Sequence, residues 1–497
     1  MKQNKLLRVF TSITGVIILS KLLGFVRQMI TASVFGATIE TDVISLSEGL
    51  IGNIKYVLVQ TLLTSFVAIY LHIREEDPRN ARRFGVDVGK AFSLVAMVII
   101  GVVLIFAQQI AKLIAPSYSA EHTAQLATYL RIYAPVLILF VWMSVFHALL
   151  NANQRFIPGE LEGMNQSIIL IIFILALQSF LGVQVLVAAF WAYVIWNTVF
   201  LGFLSKPYWE KSSGNPFRNP AIKRLLRMTT PLLLGYSMVY INQQVDKILV
   251  SGEAAGTVTA LGYAAVLSNL VSTLIASFCS ILFTYITMHI SKNDDEVAAN
   301  MVTRSATMLM MIFLPISILT IICSEDIVSI AFGRGAFTSE SVSIAASALC
   351  GYALMFVPLV LRELFSRFQY GYQNSKIPMI NSTIGIVFNI VLSIVLCPRF
   401  GVFGVTFASS VSVLICGALN TFSSKRNNAY LSMKPLLRCL PWLCVGGTAC
   451  VAAAMWSLHI VTMDSALLRF AVATLCGGGA YLIIVSPYIY RIIKKRT

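Results

Sequence analysis

The sequence is short of charge. Of 497 residues only 12% are Asp, Glu, Lys or Arg. A soluble domain carries roughly 25% charged residues, so a water-soluble enzyme of this length could not clothe its surface. The same composition excludes a disordered chain, a collagen and a disulfide scaffold. Cysteine is absent before Cys279, and the nine cysteines that begin there form no CxxC pair. They read as small core residues, not as a disulfide framework or a metal site. There is no GxxxxGK[ST] loop, no HExxH and no GxSxG, which removes ATP hydrolysis by a phosphate loop and two common hydrolase chemistries.

What is present is apolar sequence. Hydrophobic residues make up 57% of the chain. A helix needs about 20 residues to cross the apolar core of a bilayer. With short loops, the length accommodates about 14 such spans. The runs are unbroken rather than alternating, so helices are expected and a β-barrel is not. The expected spans are 11–34, 41–68, 88–113, 126–150, 159–181, 184–205, 228–250, 258–289, 303–323, 343–371, 378–397, 402–422, 437–459 and 466–488. The fold class is therefore all-α and polytopic. Pro135, Pro231, Pro315 and Pro358 fall inside spans, where a bundle tolerates them as bends.

The chain is basic, with 37 Lys+Arg against 21 Asp+Glu. Positive charge gathers in cytoplasmic loops, so no nucleic-acid partner is needed to explain it. With the N-terminus inside, 25 of the 37 basic residues fall in inner segments and 5 in outer ones. The inner set ends with Arg491, Lys494, Lys495 and Arg496. Both termini are thus expected in the cytoplasm. The opening of the chain could be taken for a signal peptide. But Lys21 and Arg27 follow the apolar stretch Val16–Leu23, and no small-x-small cleavage site is in place.

Residues 207–227, with Pro207, Gly214, Pro216 and Pro220, divide the chain. The expected organisation is an N-lobe at 1–206, this linker, a C-lobe at 228–424 and two extra spans at 425–497. The lobes echo each other. Asn151 through Arg155-Phe156-Ile157-Pro158 recurs in the second half as Tyr370 through Lys376-Ile377-Pro378. Phe35-Gly36 recurs as Ser251-Gly252 at nearly the same interval. Two six-helix lobes related as parallel repeats place a substrate site at their interface.

Removing 25 and 5 from 37 leaves seven basic residues within spans: Lys21, Arg27, Lys55, Lys90, Lys247, Arg362 and Arg367. Each costs about 2.5–3.5 kcal/mol at a helix centre on insertion scales. Lys90 and Lys247 lie near span ends and can snorkel. Lys21 and Lys55 fall near mid-depth, with Arg27 further out and Asp42 above them. Such a cluster either lines a water-filled cavity suited to an anionic substrate such as a diphosphate, or is neutralised by Asp42, Glu48 or Glu363. In span 10, Glu363 and Arg367 are spaced to pair, which leaves Arg362 least compensated. Asp246, Asn389 and Thr406 offer oxygens for Na⁺ or a proton, or else simply glue helices together. Gly477-Gly478-Gly479 lies inside a span and reads as close helix packing.

Ser20-Lys21-Leu22-Leu23-Gly24-Phe25-Val26-Arg27, then Val34-Phe35-Gly36-Ala37 and Thr41-Asp42, resemble the opening of the MurJ (MviN) lipid II flippases. Leu150 through Pro158 is similar to that family's span 4–5 loop, and Phe332-Gly333-Arg334-Gly335-Ala336-Phe337-Thr338 to its segment before span 10. The resemblance covers nearly the whole chain. It implies a two-lobed bundle of the multidrug/oligosaccharidyl-lipid/polysaccharide exporter superfamily. It implies passage of an undecaprenyl-linked sugar diphosphate from the inner to the outer leaflet by alternating access. Lys21, Arg27 and Lys55 match the family's basic positions and Asp42 its acid; two of those positions are arginine in the family and lysine here. The last two family spans form a groove for the lipid tail.

Two departures stand out. The family's span-8 Tyr-Ala-Asp-Arg stretch reads Tyr263-Ala264-Ala265-Val266 here, so both charges are gone. Two family glutamates fall at Gln60 and near Asn269. Arg362 is the candidate replacement. The leading expectation is a flippase of the bacterial inner membrane for lipid II or for an exopolysaccharide or capsule repeat unit. It is expected to act as a monomer, with membrane lipids as the other partners and no cofactor besides Na⁺ or H⁺ coupling. A cation-coupled drug antiporter of the same superfamily is the alternative, disfavoured by a net basic cavity. A glycan polymerase is third, disfavoured by the lack of a large outer loop.

Overall fold

The structure, a computed structural model, describes residues 2–212, 214–460 and 465–494. Lys495 and Arg496, assigned above to the inside, lie outside that set. The described residues contain helices and no strand. In chain order the helices are α1 (Lys2–Phe35), α2 (Ile39–Glu76), α3 (Pro78–Ile114), α4 (Ala120–Tyr133), α5 (Val136–Ala152), α6 (Ile157–Leu181), α7 (Val185–Ser205) and α8 (Pro220–Val250). They continue with α9 (Thr257–Ser291), α10 (Asp295–Ile322), α11 (Ser324–Phe332), α12 (Ser339–Ala353), α13 (Phe356–Gly371), α14 (Lys376–Asn427), α15 (Lys434–Ile460) and α16 (Ala466–Lys494).

Among the described residues, nine segments are long and apolar enough to cross a membrane, or eleven when α4–α5 and α12–α13 are each taken as one bent span. Two of the nine are helical hairpins. Ile157–Tyr208 turns at Gly182, and Lys376–Asn427 turns at Gly401. Asn389 Nδ2 donates to Ser409 Oγ across the second hairpin (2.9 Å), so its legs run antiparallel. With each leg counted and with the 31-residue α8, the order of helices accommodates fourteen spans. Exposed apolar side chains mark the lipid-facing surface, among them Val98 at 68%, Ile105 at 70% and Phe180 at 84% exposure. A membrane is the solvent in which such a surface costs nothing.

The bends have local causes. The α12–α13 pair is bent by 43° at Leu354–Met355. Pro358 follows one turn after Leu354; it cannot donate to that carbonyl, and its ring opens the turn. The α4–α5 pair is bent by 42° at Ala134–Pro135. The hairpin turns need glycine outright, with φ +55° at Gly182 and +54° at Gly401.

These features expose the repeat more sharply than the sequence does. Gly182 is separated from Gly401 by the same interval that separates Gln154 (φ 60°) from Gln373 (φ 59°), the residues that end α5 and α13. Arg155 N–H donates to Leu150 O, and Asn374 N–H donates to Gln369 O at that same offset. The landmark at Ser251-Gly252 is corrected: the left-handed glycine that answers Gly36 (φ 65°) is Gly256 (φ 87°), which restores the common interval almost to the residue. Short motif matches slip by a few residues because helix-ending loops share composition; backbone conformation does not.

By packing, the chain forms two compact units, Met1–Val258 and Thr259–Thr497. The expected lobe boundary lay at 207–227, so α8 falls in the first unit by contacts although the repeat assigns it to the second lobe. In the first unit α2 is the core helix, packed on α5, α8, α4 and α3. Ile44, Leu46, Leu62, Phe66 and Tyr70 are all at most 3% exposed. Phe66 stacks on Tyr70 and on Phe84, both at 5.4 Å. Helices α1 and α6 meet through small residues, with Ser20 against Gly163 and Ser167 against Gly24.

In the second unit the core is built from Phe313, Phe356, Phe365 and Phe368, all at most 1% exposed. Helices α15 and α16 pack together, and Tyr481 donates to the Met311 carbonyl of α10 (2.8 Å). Of the glycine run, Gly477 alone makes a close approach, its Cβ position lying 3.0 Å from Cys450 O; Gly478 and Gly479 meet nothing within 4 Å. The short α11 escaped the sequence reading. It is tied to α16 by Arg469, which donates to Asp326 Oδ1. Asp326 is 6% exposed at the side chain and Arg469 43%. Arg469→Ala should therefore lower the thermal unfolding midpoint more than Asp326→Ala, by the equivalent of about 1 kcal/mol or more, because it leaves a buried carboxylate without its cation. An equal or larger loss for Asp326→Ala would contradict this.

Candidate functional site

The mid-span cations of the first unit sit on α1 and α2. They do not share one environment. Lys21 is exposed and Arg27 half-buried. Among the described residues neither makes an ion pair. Lys55 does: its Nζ contacts Glu162 Oε1 of α6. The rings of Phe140 and Tyr193 lie 5.4 and 5.8 Å from the same ammonium, close enough for cation–π attraction.

Glu162 was not among the acids expected to neutralise the cluster. It sits in the second turn of its helix, where charges normally belong to the interface. Its turn is fixed by neighbours. Asn197 of α7 is fully buried; its Nδ2 donates to the Glu162 carbonyl (3.4 Å), and its Oδ1 accepts from Asn165 (2.9 Å). His147 of α5 packs beside it against Gly159.

Asp42 has a structural post. Thr38 caps α2, and Asp42 in the first turn accepts from the Gly256 N–H at 2.8 Å, while 2% exposed. The bond ties the start of α2 to the loop before α9. Glu48, one and a half turns on, is within electrostatic reach of Arg27, Lys247 and Lys55. Lys247 does more than snorkel from a helix end: its Nζ rests against Gly49 of α2, 2.6 Å from where a Cβ would be. Further along the same seam Gln244 Oε1 accepts from Asn53 (3.4 Å) and Tyr240 stacks on Tyr56 (5.7 Å). Lys90 donates to the Ser212 carbonyl of the linker. Glu210, in the same linker, accepts from Arg79 (3.1 Å), and that hydrogen bond holds its carboxyl below the usual range.

In the second unit Arg362, expected to be the least compensated charge, shares Glu363 with Arg367. Glu363 Oε1 accepts from Arg362 (2.9 Å) and Oε2 from Arg367 (3.3 Å). One carboxylate bridges two guanidiniums and leaves the trio net positive. The adjacent α13–α14 contact is an amide network, in which Asn420 accepts from Asn381 (2.7 Å) and donates to Ser366 (2.8 Å).

Two of the three residues considered for an ion have their oxygens engaged within helices. Asn389 Oδ1 accepts from Ser393 (3.1 Å), and the Thr406 hydroxyl donates to the Val402 and Phe403 carbonyls. Asp246 is 6% exposed on α8 in the first unit; Asn389 and Thr406 belong to the second. Among the described residues no group of three or more His, Cys, Asp or Glu is placed to hold a metal ion.

The motif segments prove to be architectural. Tyr263 packs on Phe332 (4.8 Å) and Phe337 (5.5 Å), and Thr338 caps α12. Asn153 accepts from Arg74 (3.0 Å) beside the left-handed Gln154. On α10 and α15, Leu314, Ile318, Leu443, Gly447 and Val451 line an apolar groove of about 470 Å³.

Comparison with known proteins bears on this arrangement. The family described as lipid II flippase MurJ matches residues 31–477. A probable lipid II flippase MurJ of Rhizobium meliloti strain 1021 is 24% identical over 491 residues, covering 95% of this chain and 91% of that protein. A probable lipid II flippase MurJ of Rickettsia prowazekii strain Madrid E is 24% identical over 437 residues, covering 85% and 84%. Among solved structures, lipid II flippase MurJ in an inward closed conformation superposes with a TM-score of 0.84 at 21% identity, over 97% of this chain and all of that one. An inward-facing multidrug resistance transporter of the MATE family gives 0.68 at 14% identity, over 83% and 95%. These structural likenesses speak to the fold.

Proposed function

The chain belongs to the lipid II flippase MurJ family, a family of transporters and not of enzymes, and on that premise we propose that it moves a polyprenyl-diphosphate-linked saccharide from the inner to the outer leaflet of the bacterial inner membrane. The observation that carries the proposal is the retention of Lys21, Arg27 and Lys55 on α1 and α2 at positions where a lipid-facing charge is costly. A diphosphate is the anion such a set suits. Lysine at two of these positions makes point-charge contacts where arginine would bind bidentately. The apolar groove on α10 and α15 supports a seat for the polyprenyl tail. Arg362, with its share of a single carboxylate, is the second unit's candidate contact. Asp42 holds the start of α2 in place for that work. Both termini are assigned to the cytoplasm, and the working unit is a monomer. Na⁺ or H⁺ is the proposed coupling ion, with Asp246 as a separate candidate in the first unit and Asn389 and Thr406 as candidates in the second.

A second reading, an exopolysaccharide or capsule repeat unit in place of lipid II, is favoured by the uncharged Ala265-Val266 in α9. Depleting the protein in cells separates the two. Peptidoglycan precursor accumulating in the inner leaflet identifies lipid II; another diphosphate-linked glycan identifies the second reading. Accumulation of neither contradicts both.

A further inference from the structure

We propose that Glu162 is a resident competitor for Lys55, so that the substrate's anionic group enters by exchange against a protein carboxylate. The inference rests on the reading that the substrate carries a diphosphate. It concerns what decides which anions are admitted.

The Lys55–Glu162 contact is enclosed, with 12% and 14% of the two side chains exposed. Phe140 and Tyr193 wall the ammonium. The backbone of Glu162 is pinned through Asn197, and its neighbour Gly163 is pressed against Ser20. Glu162 can therefore yield Lys55 only by turning its own side chain, while the helix stays where it is. Its other charged and titratable neighbours are His147 on α5, Glu160 on α6 and Tyr193 on α7. None of these is a cation that would take over the carboxylate once Lys55 is drawn away; Lys21 of α1 is within electrostatic reach of the neighbouring Glu160.

The consequence is selective. A bilayer is crowded with phospholipids whose headgroup phosphate carries one negative charge. A bare mid-membrane lysine would bind them. A singly charged phosphate offers Lys55 no more than Glu162 already gives, so exchange gains nothing. A diphosphate offers more charge and reaches Lys21 and Arg27 as well, which have no ion-pair partner among the described residues. Discrimination then comes from a cost imposed on the wrong ligand as much as from contacts to the right one. Part of the right ligand's affinity is given up for it.

The test uses the full-length protein in detergent, with farnesyl diphosphate and a singly charged monophosphate diester, farnesyl methyl phosphate, as probes. The wild type should prefer the diphosphate. Glu162→Gln should bind both more tightly, the monophosphate most, so that the preference falls roughly tenfold, the scale of one charge-assisted hydrogen bond. Lys55→Ala/Glu162→Gln should lose that gain. Glu162→Asp, whose shorter side chain weakens the contact, should give an intermediate preference and serves if the glutamine variant does not fold. An unchanged preference in Glu162→Gln or Glu162→Asp, with wild-type unfolding temperature, overturns the exchange while leaving the flippase reading intact. Absence of diphosphate binding in the wild type itself overturns both.

Discussion

Alanine at Lys21 or Arg27 should abolish glycan export while the amount of folded protein stays at wild-type level; alanine at Lys55 should lower both. The difference follows from partners. Lys21 and Arg27 hold no ion pair among the described residues, and a cation at a helix centre costs about 2.5–3.5 kcal/mol to insert. Removing either is neutral or favourable for folding. Lys55 is the cation of an enclosed pair. Truncating it leaves Glu162, only 14% exposed at the side chain, without its cation, a loss of about 3–5 kcal/mol. Lys55→Ala/Glu162→Ala should recover most of that stability and none of the export. Thermal unfolding in detergent and rescue of a depleted strain read the two quantities separately. Full export by all three single variants at normal abundance would contradict the role given to the cluster.

The second large effect is expected at Gly256. Its φ of +87° lies where an L side chain is strained. A Cβ there would be 2.2 Å from the Ala37 carbonyl oxygen and 2.6 Å from its carbon. These are backbone atoms that cannot swing aside, so the 254–257 turn must move. Its N–H then leaves Asp42, a buried carboxylate. The backbone strain and the lost charge-assisted bond together amount to about 3 kcal/mol or more. Gly256→Ala should thus sharply reduce the yield of folded protein. Gly52→Ala is the control: nothing lies within 4 Å of its Cβ position inside α2, and alanine favours a helix by up to about 1 kcal/mol. Equal yields of the two variants would show that the turn is not constrained.

The helical bundle was legible because bilayer crossing imposes long apolar runs, and these survive in sequence whatever the contacts. The glycine hinges at Gly182 and Gly401 were not marked, since a glycine between two apolar runs looks like any other loop. The repeat was visible at Asn151–Pro158 and Tyr370–Pro378, but its second landmark fell on Gly252 instead of Gly256. At the site, the cations were legible as charges that loops could not absorb. Their partners were not. Glu162 and Lys55 lie on helices far apart in the chain, and nothing local in either segment announces the pair. Arg362 and Glu363 adjoin in sequence, but consecutive helix positions point apart, so only side-chain placement shows that their long arms meet. Lys247 does lie in the last turn of α8, but distance from a span end says nothing of which neighbour a long side chain reaches.

The central claim is that this chain carries a diphosphate-linked glycan across the membrane. The most direct measurement is the leaflet distribution of lipid-linked glycan in cells depleted of the protein, read with a membrane-impermeant probe that reaches only the outer face. The account predicts that the outer-face pool collapses while the inner pool grows. It also predicts that wild-type protein restores the outer pool and Arg27→Ala does not. An outer pool that persists undiminished through depletion would contradict it.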